Sequence, residues 1–275
     1  MAALAKNCGR IFSRSAPRRS PAGWRRGGTK PGRLLRTQIP VRCDSWNLDR
    51  AGDLEADTVE HGGDSPAGDF MRRITYTDIF SGWTEPAAIW NQSAAAVLAQ
   101  TQAIEQQSPF PLLGFDANHG GQFLNHALWR FFRQRQRPVD FTRSRAYHQN
   151  DNAHVEQKHW TKVHQLLGYA RYDQPELVER VHALYRGPWR LLQNFFQPVM
   201  KLLHQRRRGA RVKKLYDRAQ TPAPRLLAWS GLSQPQRQQL QSPHATLDPI
   251  ALTEAVNRQL QQIHRYLREG RRNAA

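Results

Sequence analysis

Apolar and polar residues follow one another in an order that predicts a mixed α/β sheet. Leu54-Glu55-Ala56-Asp57-Thr58-Val59 reads as a strand that carries Asp57 among Leu, Ala and Val. Residues 70–80 and 82–90 are rich in Ile, Thr, Tyr, Trp and Phe, and the Ser81-Gly82 break between them predicts a hairpin. Residues 93–107 are Ala-rich and predict a helix. Residues 112–115 form a short apolar run suited to a strand buried on both faces. A helix is expected over 122–135, with Phe123, Leu124, Leu128, Phe131 and Phe132 on its apolar side. Pro138 stops it, and 139–142 reads as another strand. The order strand, hairpin, helix, strand, helix, strand, helix suits a mixed sheet with helices on its faces. Further helices are expected over 176–204 and 248–269, with Arg206-Arg207-Arg208 and residues 211–214 as a basic linker between them.

A helix carrying Glu156 can be checked by spacing. Glu156, Trp160, Val163 and Leu167 fall at i, i+4, i+7 and i+11, which is one helical face. Asn150, Asp151 and Asn152 offer capping oxygens at its start. A carboxylate heading an apolar stripe costs free energy unless a cation or a donor satisfies it, although acids are also common at helix starts for the dipole alone. Asp57 lies mid-strand. Asp116 and Asn118 lie two apart at the carboxyl end of a buried strand, where α/β sheets place ligands. Asp116 could equally initiate the turn before Asn118-His119-Gly120-Gly121.

Charge changes the picture more than composition does. The chain has 275 residues, a net charge of +19 and 41 Lys plus Arg against 22 acids, which points to a polyanionic partner. Acidic lipid surfaces attract the same charge, but no apolar run approaches the roughly 20 residues that span a bilayer. Cys8 and Cys43 are the only cysteines, so a disulfide framework is excluded. Residues 1–43 hold eleven Lys or Arg and no acid, and are expected to be a disordered, phosphate-adhesive leader; a transit peptide is the competing reading. Three regions result: the leader over 1–43, a catalytic-core-like unit over 44–175, and a helical C-terminal region over 176–275. A dense band of Arg130, Arg133, Arg135, Arg137, Arg143 and Arg145, interleaved with Trp129, Phe132 and Tyr147, could follow a phosphate backbone or simply be a solvated face. His148, His154, His159 and His164 lack metal-binding spacing.

Several phrases carry a family resemblance. They are the stretch from Thr77 to Glu85 (TDIFSGWTE), the stretch from Thr142 to Asn152 (TRSRAYHQNDN), His154-Val155-Glu156-Gln157-Lys158, and Lys213-Lys214-Leu215-Tyr216-Asp217 with Thr221-Pro222. From Lys30 to about Leu227 the chain resembles the integrase-type core of bacterial insertion-sequence transposases. That resemblance implies an RNase H-like fold: a mixed five-stranded sheet flanked by helices, here with a basic disordered leader and a helical C-terminal tail. It implies Asp57, Asn118 and Glu156 at the three catalytic positions, and two Mg²⁺ ions for DNA cutting and joining, with Asp57, Asp116 and Glu156 as candidate ligands. It also implies DNA contacts from Arg143, Arg145, Tyr147, His148, Asn150, Asn152, Lys158 and Lys162. DNA is the expected partner, membrane is not, and a homo-oligomer on DNA ends and a bacterial cytoplasmic, nucleoid-associated location follow from the family.

The chain departs from the family at the middle acid. The pattern there is Asp-Asn-Gly, a variable residue, then Glu-Phe; this chain has Asn118-His119-Gly120-Gly121-Gln122-Phe123. An amide offers one neutral oxygen where a carboxylate bridges two dications, so the site loses a negative charge. Asp116 is the candidate substitute acid. The family also carries helix-turn-helix units before the core, where this chain has only the basic leader. Both departures are read as decay or truncation. The expected function is DNA binding and integration, impaired by Asn118; the alternatives are a catalytically inactive DNA-binding remnant and a non-functional pseudogene product.

Overall fold

The computed structural model describes residues 35, 38–42, 49–117, 122–144, 165–209 and 211–273. Five strands form one mixed sheet: β1 (Asp53–Glu60), β2 (Met71–Asp78), β3 (Thr84–Trp90), β4 (Gly114–Ala117) and β5 (Asp140–Arg143). Their order is β3-β2-β1-β4-β5. β2 runs antiparallel to both neighbours, whereas β4 is parallel to β1 and β5 is parallel to β4. This is the mixed sheet that the order of elements predicted and the five-stranded arrangement that the resemblance implied, with helices packed against it.

Alternation along the strands divides the sheet into two unlike faces. Leu54 and Ala56 of β1, Ile74 and Tyr76 of β2, Ala87 and Ile89 of β3, and Phe115 of β4 are buried together. Two helices cover them: α1 (Ala94–Gln107) through Val97 and Ile104, and α2 (His126–Arg133) through Leu128 and Phe132. Phe115 sits at the centre, with the rings of Phe123, Phe132 and Phe141 within 6.0 Å of its own. Ser93 caps α1 by accepting from the Ala96 N–H. α2 starts four residues later than expected because Asn125 is its cap, accepting from the Leu128 N–H at 2.8 Å.

The opposite face is polar. Register places Glu55 beside Thr77, Asp57 beside Thr75, and Glu55 also beside Asp116. Further along this face Met71 and Ala88 join a second apolar cluster formed with the C-terminal helices. After the short α3 (Gln165–Leu167), α4 (Glu176–Leu184) and α5 (Arg190–Phe195) are joined by a π-turn over Tyr185–Trp189. A single helix was expected over 176–204. Pro188 has no N–H for the preceding turn, and Gly187 leaves helical backbone there, so the helix breaks and then ends at Phe195. α6 (Pro222–Ala228), α7 (Gln234–Thr246) and the long α8 (Pro249–Asn273) follow. α8 lays Val256, Ile263 and Leu267 against Leu177, Val181 and Leu184 of α4 and its end.

The segment expected to be a basic linker is instead a two-stranded antiparallel hairpin, β6 (Leu202–Arg208) and β7 (Arg211–Tyr216). Gly209, in the left-handed region at φ +62°, allows its tight reversal.

Both outer strands of the five-stranded sheet have covered edges. On β3, Asn194 of α5 accepts the Thr84 N–H at 2.8 Å and returns its amide to the Thr84 carbonyl at 2.9 Å. Pro86 has no donor to cover, and the Ala88 N–H goes to His182 Nδ1 at 3.4 Å. On β5, Val41 bridges Arg143 in parallel, with the Arg42 N–H on the Arg143 carbonyl and the Arg143 N–H on the Pro40 carbonyl. Residues 38–42 fall inside the segment expected to be a disordered leader. Leu35 and Ile39 are fully buried in the main apolar cluster and joined by a helical turn, the Ile39 N–H donating to the Leu35 carbonyl at 3.1 Å, and the chain then runs on to the β5 edge at Val41.

Candidate active site

The polar face of the central strand assembles a cluster of charges. Asp57 stands in the middle of β1, partly exposed, with its Oδ1 accepting the Thr58 N–H at 2.7 Å. Two residues back on the same face, Glu55 is 1% exposed, and Asp116, its register partner on β4, is also 1% exposed. Two carboxylates buried side by side require a cation, and Arg42 supplies it. Its guanidinium reaches Glu55 Oε1 at 3.3 Å and Asp116 Oδ2 at 3.5 Å. Thr142, opposite Asp116 on β5, donates its hydroxyl to Asp116 Oδ1 at 2.6 Å. Thr75, Thr77 and Arg73 continue the face on β2 and are buried. Arg73 donates to the Thr75 hydroxyl at 3.1 Å and lies 4.9 Å from the centre of the Tyr185 ring. Burial pushes the Arg73 pKa down, opposed by Tyr185.

β4 ends at Ala117, which pairs with Ala56, the residue before Asp57. Asn118 and Glu156 themselves lie outside the described residues, as do Arg145, Tyr147, His148, Asn150, Asn152, Lys158 and Lys162. Of the expected site, therefore, the structure places Asp57, Asp116 and Arg143. Asp57 and Asp116 share one face. The Arg143 Nε–H is directed to the Ile39 carbonyl at 3.1 Å, where it helps to hold the N-terminal segment.

Asp116 does not fit an Mg²⁺ ion as it stands. Mg²⁺ needs oxygens it can take in near-ideal octahedral geometry, and Asp116 already receives a hydroxyl proton and faces a guanidinium. An ion there would have to displace Arg42. Among the described residues, no three His, Cys, Asp or Glu side chains lie close enough together to hold a metal ion.

The motif stretch from Thr77 to Glu85 has a structural job. Asp78 lies beneath the β2–β3 turn and is fully buried. It accepts from the Gly52 N–H at 2.8 Å, the Ser81 N–H at 2.7 Å and the Ser81 hydroxyl at 2.5 Å. Burial pushes its pKa up to about 6, against those hydrogen bonds. Glu85 accepts from Trp83 Nε1 at 2.7 Å and pairs with Arg190 at 2.7 Å, and Arg190 lies over the Trp83 ring. These motif residues hold a hairpin and dock α5.

The basic band separates into different roles. Arg130, Arg133 and Arg137 are exposed, and Arg133 lies 5.6 Å from the Trp129 ring centre. Arg135 pairs with Glu105, and Phe132 is fully buried in the core and cannot stack on a base. Sequence reasoning missed Glu55 and Arg42. Glu55 had a signal, since residues two apart on a strand share a face with Asp57. Arg42 had none, because its partners are brought to it by pairing with Arg143, about a hundred residues away.

No protein-family model matches the chain. The uncharacterized protein y4rM of Sinorhizobium fredii (strain NBRC 101917 / NGR234) is 38% identical over 183 residues, which is 66% of this chain and 51% of that protein. The chain thus spans about half the length of the curated relative it matches. Among solved structures, the catalytic core domain of BIV integrase aligns over 43% of this chain and 70% of its own, at 13% identity and a TM-score of 0.33. A chain of the simian T-cell lymphotropic virus intasome in complex with PP2A regulatory subunit B56 gamma aligns over 47% of this chain and 44% of its own, at 13% identity and a TM-score of 0.36.

Proposed function

We propose that this is an integrase-type protein of transposase descent that binds DNA and is impaired in cutting and joining its strands. The observation that carries the reading is Asp57. It is an acid on the polar face of the central strand of a β3-β2-β1-β4-β5 sheet, one residue beyond the point where β4 stops in parallel register. The residue that follows Ala117 in the chain is Asn118. On the family pattern, Asp57, Asn118 and Glu156 are the three positions that would face a shared pair of divalent ions. Mg²⁺, when bound, would polarise a phosphodiester and its attacking hydroxyl. An amide at 118 weakens that site by one charge and one ligating oxygen. Asp116 serves the fold through Arg42 and Thr142, not the ions.

The amide favours one second reading specifically: a DNA-binding remnant without catalysis, acting in the nucleoid or on element ends as an oligomer. The two readings part on one experiment. Cleavage of labelled duplexes carrying the element's own ends is measured with Mg²⁺ and with Mn²⁺, for the wild-type chain, Asn118→Asp and Asp116→Asn. The expected result is little or no wild-type cleavage and a gain with Asn118→Asp. Full wild-type activity abolished by Asp116→Asn would overturn the assignment, since Asp116 would then be the working acid. No gain from Asn118→Asp would leave the DNA-binding remnant.

A further inference from the structure

We propose that the β6–β7 hairpin is an arm that enters the major groove of duplex DNA. No acid stands between Glu179 and Asp217, and over that stretch the chain carries ten Lys or Arg, six of them within 206–214. Pairing then sets like charges against each other, Arg206 standing opposite Lys213 with Arg211 next on the same face. Cross-strand pairs of like charge destabilise a sheet, and an isolated two-stranded hairpin is marginal to begin with. Leu203 at 61% exposed and Leu215 at 57% show that apolar burial does not make up the difference. A polyanion would.

The stem is nevertheless fixed. Asp217 accepts from the Lys201 N–H and pairs with Arg225, Arg225 also donates to the Val199 carbonyl at 2.8 Å, and Val199 and Gln220 bridge. Lys201 reaches the Phe80 carbonyl and so ties the stem to the β2–β3 turn. A ribbon with an anchored base and a repelling, exposed blade is arranged for insertion.

Its two faces choose the partner. Arg206, Arg211, Lys213 and Leu215 share one face; Val212 and Lys214 share the other. Cations lie on both faces and the apolar side chains are split between them, so no single apolar face is available to sink into a bilayer. A groove walled by phosphates on both sides matches this distribution. Two strands about 4.8 Å apart, with side chains, fit the roughly 12 Å major groove of B-form DNA, whereas the major groove of A-form RNA is too narrow and deep.

The choice of DNA rests on the function proposed above, but the test needs no catalysis. Binding of the full chain to a mixed-sequence DNA duplex of about three helical turns is followed by fluorescence anisotropy in EDTA, across a salt series. Arg206→Gln/Arg211→Gln/Lys213→Gln should weaken binding roughly tenfold or more and lower the log–log salt slope by about 2 to 3, one counterion per phosphate lost. Arg206→Lys/Arg211→Lys, which keeps the charge, should retain the slope and so separates charge from folding. Wild-type binding left unchanged by the Gln variant would overturn the arm while leaving the DNA-handling reading intact. No wild-type binding to duplex DNA would overturn both. Equal binding to an RNA duplex, or hairpin-dependent binding to phosphatidylserine vesicles in place of DNA, would overturn the groove assignment.

Discussion

Asp78 and Arg42 are the residues at which burial and charge can be read most directly. Asp78 is ionised at neutral pH although burial raises its pKa to about 6 from 3.8, a penalty on the order of 3 kcal/mol. The folded state therefore holds its proton where the unfolded chain has lost it. The sign follows: Asp78 favours folding most below about pH 4, and that contribution falls away as the pH rises to about 6. Asp78→Asn should flatten this limb of a stability–pH curve. It should also lower stability at pH 4 by about 1–3 kcal/mol, since one donor around it would meet an amide NH₂. An unchanged curve would mean that Asp78 does not titrate there. Arg42 neutralises two buried carboxylates, Glu55 and Asp116. Arg42→Met should cost about 3–5 kcal/mol at neutral pH, and Arg42→Lys, which keeps a cation there, distinctly less. Urea unfolding at pH 7 checks it; equal losses for the two variants would show that packing and not charge is at stake.

At the scale of elements, side chains from α4 and α5 do for β3 what another strand would otherwise do. His182 must be neutral at Nδ1 to accept the Ala88 N–H, and burial, with Arg186 nearby and against Glu179, lowers its pKa. The unfolded chain thus takes up this proton first as the pH falls. The His182 contribution is present above about pH 6.5 and lost below it, opposite in direction to that of Asp78. His182→Gln, which can keep an acceptor, should remove that acid sensitivity, as thermal unfolding between pH 5 and pH 7.5 would show. Such elements were only half legible. The strands and α1 could be read because burial on one face writes alternation or apolar runs into the sequence. β6–β7 could not, because both its faces meet solvent and carry the same charges as a linker. The broken helix was foreshadowed by Gly187-Pro188, but its length hid the break, since Leu191, Leu192, Phe195 and Phe196 continue an apolar pattern across it. The acid positions were legible through motif phrases, while the clasp that holds Asp116 depends on chain segments far apart in sequence.

For the molecule as a whole, the run of elements showed a mixed α/β sheet, while the five strands were legible only through the family resemblance, because strand pairing joins segments far apart in the chain. Its surface charge was also legible, and it makes affinity for any polyanion a function of ionic strength: binding to duplex DNA should drop steeply between about 50 and 200 mM salt, with little sequence preference. Salt-insensitive, sequence-selective retention in the same titration would contradict this. Closing both outer strands has a different consequence. A sheet whose outer strands are already occupied at part of their edges offers a shorter template to a neighbouring molecule, so copies crowded together should zip into fibrils less readily than a sheet with bare edges. That protection is held by very little: three side chains of α4 and α5 at one border, and a four-residue stretch, Ile39 to Arg42, at the other. Loosening that stretch would bare β5, and the lifetime of the chain in concentrated solution would then be set by self-association.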